Sequence, residues 1–248
     1  MFKDKVIIVT GGTKGIGRSI VLEFLSQGAR VITVYASDDV AAGKMKEGLS
    51  LDEQGRFFLY RGSIEDLNFI RILFQNIEAK FGQLNILVNN AGVNQDRLFL
   101  DMEESDWNKV ITTNIKGTFH MSLLAADLMK RSVQPSHIVN IASISGIFGR
   151  AGQANYACSK GAVMGMTKLL AKRFARDDIF VNAIVPGLIR TDMAERMPLE
   201  KIEEITHATV LKRMGDPEEV AKVVLFLASG GFSYVSGACF KVDGGYLK

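Results

Sequence analysis

The chain of 248 residues is long enough to bury one large hydrophobic core, and its length suits a single α/β domain. Lys and Arg number 30 against 27 Asp and Glu, a net charge of +3 without a run of basic residues interleaved with aromatics, so we expect no nucleic-acid partner. The first residues lack the pattern of a signal peptide and no apolar run approaches the roughly 20 residues that cross a bilayer, so we expect a cytoplasmic protein that enters no membrane.

Short runs of β-branched and other apolar residues alternate along the chain with amphipathic segments. The runs cover residues 6–9, 31–34, 57–59, 86–88, 138–141, 179–185 and 239–242. Both faces of these runs are apolar, which is typical of strands buried in a parallel sheet. Helical patterns cover residues 19–27, 67–81 and 218–228. The alternation predicts one domain built on a parallel sheet with right-handed crossovers.

A glycine-rich turn, with Gly11, Gly15 and Gly17, lies between the first strand and the first helix. Glycines at this place allow a tight turn in which backbone N–H groups approach a phosphate closely. The positive end of the helix dipole favours the same anion. Because the turn follows a strand and opens a helix, it predicts binding of a dinucleotide pyrophosphate.

Tyr156 and Lys160 are four residues apart, so on a helix they share one face. A free phenol has a pKa near ~10, and a neighbouring ammonium stabilises the phenolate and lowers that value. The pair is therefore a candidate for proton transfer. The alternative is that the two side chains are ordinary neighbours on a solvated helix face.

The two cysteines, Cys158 and Cys239, lie far apart and lack metal-ligand spacing, so we expect neither a disulfide nor a metal site. Cys158 falls inside the run from Tyr156 to Lys160. We expect it to be a small helix residue that faces away from the tyrosine ring, because free cysteine usually behaves as a small apolar side chain.

Further motifs follow the predicted strands in order. They are Asn89-Asn90-Ala91-Gly92 after the fourth strand, Asn114 in Asn114-Ile115-Lys116-Gly117, Ser143 after the fifth strand, Pro186-Gly187 after the sixth, and Asp243-Gly244-Gly245 near the end. With the glycine spacing Gly-x-x-x-Gly-x-Gly, they make the chain resemble the short-chain dehydrogenases/reductases over essentially its whole length. The resemblance implies a Rossmann-type, doubly wound, mainly parallel seven-stranded sheet flanked by helices, in one domain of residues 1–248.

The resemblance also implies roles for four catalytic residues. Tyr156 would protonate a carbonyl oxygen as hydride arrives, and Ser143 would donate a hydrogen bond to the same oxygen. Lys160 would lower the phenol pKa and hold the nicotinamide ribose, and Asn114 would position a water that connects Lys160 to solvent. The alternatives are that Ser143 is a helix N-cap and that Asn114 is an ordinary buried amide.

A nicotinamide cofactor would carry the hydride. The implied cofactor contacts are Gly11, Thr13, Lys14, Gly15, Ile16, Gly17, Ser37, Ser63, Ile64, Asn89, Ala91, Gly92, Tyr156, Lys160, Pro186, Gly187, Ile189 and Thr191. Lys14 lies where family members that prefer NADPH often carry a basic residue, so we predict NADPH/NADP+. Asp38 and Asp39 lie near the position of an NAD-selecting acid, but they are expected to start the next helix instead.

The segments around Gln153 and Asn94 resemble those of 3-oxoacyl-acyl-carrier-protein reductases and acetoacetyl-CoA reductases. The resemblance implies reduction of a β-keto thioester, with Ser143, Gln153 and Tyr156 contacting the substrate and residues 188–213 forming a lid over the acyl chain, unless that segment is an ordinary packed helix pair. Arg150 is a further candidate, for the phosphate of phosphopantetheine or coenzyme A; the alternative is an exposed loop arginine. The carrier, acyl carrier protein or coenzyme A, stays open at this stage. Arginines near Arg131 and Arg173 lie close to the positions where the family docks the acidic carrier.

Two other functions stay open from the sequence. One is an alcohol dehydrogenase or carbonyl reductase for another substrate, because substrate choice lies in loops. The second is a non-catalytic dinucleotide-binding regulator, which would tend to lose the four catalytic side chains that this chain retains. Segments 107–129 and 156–174 carry apolar residues on more than one face, and the resemblance implies that these helices pair between subunits in a homotetramer.

Overall fold

The structure is a computed structural model that describes residues 1–132 and 134–247. Its strands are β1 (Val6–Thr10), β2 (Arg30–Tyr35), β3 (Phe57–Arg61), β4 (Ile86–Asn89), β5 (Ser136–Ile141), β6 (Ile179–Pro186) and β7 (Cys239–Val242). Its α-helices are α1 (Gly15–Ser26), α2 (Asp39–Glu47), α3 (Leu51–Arg56), α4 (Leu67–Phe81), α5 (Glu104–Ile111), α6 (Thr118–Met129), α7 (Ser145–Phe148), α8 (Ala154–Phe174), α9 (Asp192–Glu195), α10 (Leu199–His207) and α11 (Pro217–Ala228). A π-helical segment, Thr112–Gly117, joins α5 to α6.

The strands form one seven-stranded sheet in the order β3-β2-β1-β4-β5-β6-β7. Each neighbouring pair runs parallel. The predicted Rossmann-type sheet is therefore confirmed, and it is parallel throughout rather than mainly so. As predicted, the last strand lies at one edge, beside β6.

The two faces of the sheet are both covered, and β1 shows how the sequence achieves this. Ile7 and Val9 belong to the core that contains α1 and α11, whereas Val6 and Ile8 belong to the opposite core, which contains α4 and α6. All four side chains are fully buried, and each such burial is worth about 1.5–3 kcal/mol. No helix in the described part of the chain is long and apolar enough to span a membrane.

The predicted helix over residues 67–81 matches α4, which ends at Gly82 with a φ of +68°. As predicted, Asp38 and Asp39 begin a helix: the Asp38 carboxylate accepts the N–H of Ala41 and caps α2. The prediction of α1 was wrong at its start. Helix α1 begins at Gly15, four residues before the predicted start, because the small glycines let its first turn lie directly against the end of β1.

Candidate active site

The sheet divides into two halves between β1 and β4: the first half adds β2 and β3 on one side of β1, and the connection from β3 then crosses over to β4 on the other side. In open parallel sheets, ligands bind in the crevice at this point, beyond the carboxyl ends of the strands. The loops after β1, β4, β5 and β6 leave the sheet at that edge. They carry the glycine turn, the Asn89–Gly92 motif, Ser143 and Gly187 respectively. Motifs that are far apart in the sequence therefore lie at one edge of the sheet.

The glycine turn has the shape of a phosphate cradle. Gly11 and Gly15 have φ values of +66° and +52°, and a Cβ on Gly17 would lie 2.2 Å from the carbonyl oxygen of Gly11. Lys14, at the N-cap of α1, makes no side-chain capping hydrogen bond, so no capping side chain covers the first N–H groups of the helix. These residues fit the pyrophosphate of a dinucleotide. Thr13 and Ile16 belong to the same turn.

Asn90 fastens the glycine turn to the loop after β4. Its Nδ2 donates to the carbonyl oxygens of Thr10 and Gly11 at 3.0 and 3.1 Å. In return, the Thr10 hydroxyl oxygen accepts the backbone N–H groups of Asn90 and Ala91, both at 3.0 Å. The sequence had assigned the cofactor contact to Asn89, whose amide instead donates inside the protein to Ser122 and Asn140. Asn90 was missed although it belongs to the same motif.

The predicted catalytic residues Asn114, Ser143, Tyr156 and Lys160 come together beside the loop after β4. The Lys160 ammonium lies 5.6 Å from the centre of the Tyr156 ring and donates to the carbonyl oxygen of Ile141 at 2.8 Å. A Cβ on Gly92 would lie 3.2 Å from Asn114 Oδ1 and 3.4 Å from Lys160 Nζ. A side chain at this position would crowd Asn114 and contact the Lys160 ammonium.

Asn114 lies in the π-helical segment between α5 and α6. Its Oδ1 accepts the N–H of Val93 at 2.9 Å, and its Nδ2 donates to the Val93 carbonyl and to the Ser159 hydroxyl, both at 3.0 Å. The side-chain amide is therefore fully buried and its donors are used within the protein. π-Helical turns often occur at functional sites, and the sequence pattern gave no sign of this one, because segment 107–129 was expected as one amphipathic stretch.

Burial sets the pKa values of both Tyr156 and Lys160. Burial raises the pKa of the Tyr156 phenol, a hydrogen bond with Ser143 opposes that rise, and the negative charge of Asp96 adds to it. Burial also lowers the pKa of Lys160, to about 8. Burial dominates the phenol pKa, and the Lys160 ammonium, which donates to Ile141, is not among the groups that lower it in this structure. Tyr156 is therefore a protonated donor at neutral pH.

Several of the other predicted cofactor contacts line the same crevice. Thr191 lies against the glycine turn, since a Cβ on Gly15 would be 3.2 Å from its Cγ2. Gly187 follows Pro186 at the end of β6 and donates its N–H to Val242 at 2.9 Å. Ile189 is buried beneath this loop.

The end of β2 carries paired charges. Lys14 Nζ lies 3.1 Å from Asp38 Oδ2, with both side chains about half exposed. The N–H of Ala41 and then Lys14 hold the pKa of Asp38 below its usual range. Ser37 is exposed beside this pair. After β3, the Ser63 hydroxyl accepts the N–H of Glu65, and Ile64 is buried against Gly117.

Two residues that were expected to contact substrate make bonds within the protein instead. Gln153 is buried; its Nε2 donates to Asp96 at 2.9 Å and its Oε1 accepts from Ser145 at 3.1 Å. The guanidinium of Arg150 lies 3.9 Å from the sulfur of Met197, within the predicted lid. Gln153 thus connects Asp96 to Ser145 within the protein, and Arg150 contacts Met197 of the segment that was predicted to cover the site. Cys158 is a free cysteine that is exposed on α8.

The chain has full-length relatives among characterised proteins. A family model described as enoyl-(acyl carrier protein) reductase matches residues 11–247. The 3-oxoacyl-acyl-carrier-protein reductase of Thermotoga maritima is 41% identical over 245 residues, which cover 99% of this chain and 98% of that protein. The corresponding reductase of Salmonella typhimurium is 36% identical over 98% of both chains. A 3alpha-hydroxysteroid dehydrogenase of Mediterraneibacter gnavus is 35% identical over 98% of this chain and 97% of its own length.

Proposed function

The chain belongs to the short-chain dehydrogenase/reductase family, whose members are oxidoreductases that use a nicotinamide dinucleotide, and from that premise we propose that it reduces a 3-oxoacyl thioester to the 3-hydroxyacyl thioester with NADPH. The observation that carries this proposal is the grouping of Ser143, Tyr156 and Lys160 beside the phosphate cradle. A bound nicotinamide supplies the hydride.

The chain's own residues then hold and move the proton. Tyr156, whose raised phenol pKa keeps it protonated at neutral pH, donates to the substrate's carbonyl oxygen, and Ser143 donates a hydrogen bond to the same oxygen. A protonated donor favours reduction over alcohol oxidation. Lys160, with a pKa of about 8, can supply a new proton that restores the phenol after turnover and can itself be reprotonated from solvent. Asn114 hydrogen-bonds to the backbone of Val93 and thereby fixes the position of Gly92 beside the Lys160 ammonium.

The paired charges at the end of β2 support NADPH as the cofactor. Asp38, the nearest acid to the position that would select NAD, is used as the cap of α2 and as the partner of Lys14. A ribose 2′-phosphate bound at the end of β2 would form an ion pair with the Lys14 ammonium. We expect Lys14→Ala to lower kcat/KM for NADPH by about tenfold or more and to leave kcat/KM for NADH nearly unchanged. Equal losses with both cofactors would refute this assignment.

The names of the relatives support the substrate class. Two are 3-oxoacyl-acyl-carrier-protein reductases, and one, at nearly the same identity, is a 3alpha-hydroxysteroid dehydrogenase, so a hydroxysteroid is the second candidate. We propose that residues 188–213, with exposed Met193, form the lid over an apolar acyl chain. The arginines near the expected docking positions each have an acidic partner, Arg131 with Glu78 and Arg173 with Asp177, so the carrier is best decided by experiment.

The decisive experiment is a substrate panel monitored by NADPH oxidation. It comprises a 3-oxoacyl group on acyl carrier protein, on coenzyme A and on a short thiol, together with a 3-oxosteroid and a 2-enoyl thioester. The proposal requires the highest kcat/KM for a 3-oxoacyl thioester. A preference for the steroid or for the enoyl substrate would overturn it.

Tyr156→Phe separates an enzyme from a non-catalytic regulator. The variant should lose turnover by a factor of about a hundred or more and keep its affinity for NADPH, because only the proton donor is removed. An enzyme that turned over normally without the hydroxyl would contradict the assigned role.

The proposed homotetramer draws support from exposed apolar side chains on the paired helices. Phe119 and Leu123 of α6 and Leu169 of α8 each expose 44% or more of their surface. Sedimentation equilibrium of the wild type and of Phe119→Glu would test whether these helices hold subunits together.

A further inference from the structure

A continuous line of hydrogen bonds runs from the loop after β4 to the catalytic serine. Asp96 Oδ2 accepts from Gln153 Nε2 at 2.9 Å, and Gln153 Oε1 accepts from the Ser145 hydroxyl at 3.1 Å. The N–H of Ser145 donates to the Ser143 hydroxyl oxygen at 3.2 Å. Ser143 therefore receives a hydrogen bond on one side and has its own O–H to give, and its side-chain partner is Tyr156.

The same loop also holds the backbone that carries Tyr156. The N–H of Arg97 donates to the carbonyl of Gly152 at 2.8 Å, just before α8. The Asn155 amide donates to the carbonyl of Gln95 at 2.9 Å, while its oxygen accepts the N–H of Tyr156 at 2.7 Å. Thus the Ser143 hydroxyl and the backbone of Tyr156 are both connected to residues 95–97.

Asp96 is the charged member of this arrangement. Its second oxygen accepts from the Asn94 side chain at 3.2 Å, so both carboxylate oxygens are bonded. Gln153 is 7% exposed and Asn155 is fully buried, whereas Asp96 itself lies at the exposed end of this line of bonds. A hydrogen bond to an ionised acceptor is stronger than a neutral one.

We propose that Asp96 is a positioning residue of the reaction, which acts through Gln153 to hold Ser143 and Tyr156 in the relative placement that proton donation requires. This role rests on the function proposed above. Gln153, which the sequence suggested as a substrate contact, is the connection between the loop and the serine. Asp96 itself touches neither substrate nor cofactor in this scheme.

The charge of Asp96 influences the phenol pKa, so its effect can be measured in the pH dependence of the reduction rate. The other charged groups on the surrounding elements are Lys160 of α8, Arg97 with its partner Asp106 at 2.9 Å, and Arg150 of the loop before α8. The negative charge of Asp96 contributes to the raised pKa of Tyr156. Removing that charge should lower the phenol pKa and move the alkaline fall of the reduction rate to lower pH.

A double-mutant cycle tests the positioning role. We expect Asp96→Ala and Gln153→Ala each to lower kcat by about tenfold to a hundredfold, with the affinity for NADPH unchanged. The double variant should be no worse than either single variant, since both break one line of bonds. Multiplied losses in the double variant, or losses that follow a drop in Tm, would overturn the proposal.

Asp96→Asn keeps the side-chain shape and an acceptor for Gln153 but removes the charge. Ultraviolet difference titration, with the signal of a matching Tyr156→Phe protein subtracted, should show a lower phenol pKa in this variant. The control is Asp101→Asn, which replaces an exposed acid farther along the loop after β4 and should leave the phenol pKa unchanged. This titration needs no substrate, so it is separable from the proposed reaction. An unchanged phenol pKa in Asp96→Asn would refute the effect of the Asp96 charge on the phenol; a functional Tyr156→Phe enzyme would instead refute the proposed reaction.

Discussion

His137 gives the protein an acid-sensitive point that lies outside the active site. The side chain is buried in β5, stacks on Phe180 with ring centres 5.4 Å apart, and leaves its Nδ1 without a hydrogen-bond partner among the described residues. Burial, with a smaller contribution from the Lys5 charge, lowers the pKa of His137 from 6.5 to about 4. The folded protein therefore keeps this imidazole neutral where the unfolded chain would protonate it.

The sign and size of the effect follow from this difference. The unfolded chain binds the proton more tightly, so stability is complete above about pH 6.5 and is lost as the pH falls toward about 4. At about 1.4 kcal/mol for each tenfold difference in proton affinity, the loss amounts to about 3 kcal/mol. His137→Phe removes the proton site while keeping a flat ring that can stack on Phe180.

Urea unfolding at a series of pH values and one protein concentration would measure the effect. Between about pH 7 and pH 4, the unfolding free energy of the wild type should fall by about 3 kcal/mol more than that of His137→Phe. His207→Gln, at an exposed histidine, is the control and should show little change. A wild-type minus His137→Phe difference that stays constant over this range would refute the reasoning.

Three further substitutions test the site. Gly17→Ala should abolish dinucleotide binding and lower Tm, because the added Cβ would lie 2.2 Å from the carbonyl oxygen of Gly11. Gly43→Ala, with open space around it, is the control and should be neutral. Normal NADPH binding by Gly17→Ala in calorimetry would contradict this prediction. Gly92→Ala should fold and bind NADPH but lower kcat, since the added Cβ would lie 3.2 Å from Asn114 Oδ1 and would shift that side chain; a full wild-type kcat in steady-state kinetics would exclude the shift. Thr10→Val should cost about 2–4 kcal/mol of unfolding free energy, because two backbone N–H groups lose their acceptor, and a change near zero would mean that the loop repacks.

The fold was predictable because its signals are local. Each strand of a parallel sheet is apolar on both faces, and that composition can be recognised in runs such as Val6–Thr10 without knowledge of its partners. The boundary of α1 was not predictable in the same way. Its first turn lies on the end of β1 through a glycine contact, and that contact is a property of the packed structure.

The identity of the site residues followed from motifs, but their detailed interactions did not. The sequence placed a cation near Tyr156, yet the direction of the phenol pKa depends on where the Lys160 ammonium points and on how deeply the ring is buried. Likewise, Gln153 lies in a motif next to the tyrosine. Only the fold shows that its amide joins Asp96 to Ser145 and thus serves the site indirectly.

The bonds from Asn90 to the glycine turn also bear on how the protein is made. They join positions about 80 residues apart, and β4, which pairs with β1, lies just before Asn90 in the chain. A ribosome therefore releases the whole glycine turn long before the residues that brace it. During that interval one edge of β1 has no neighbour, so a nascent chain that contains only the first three strands exposes an apolar strand edge to other chains.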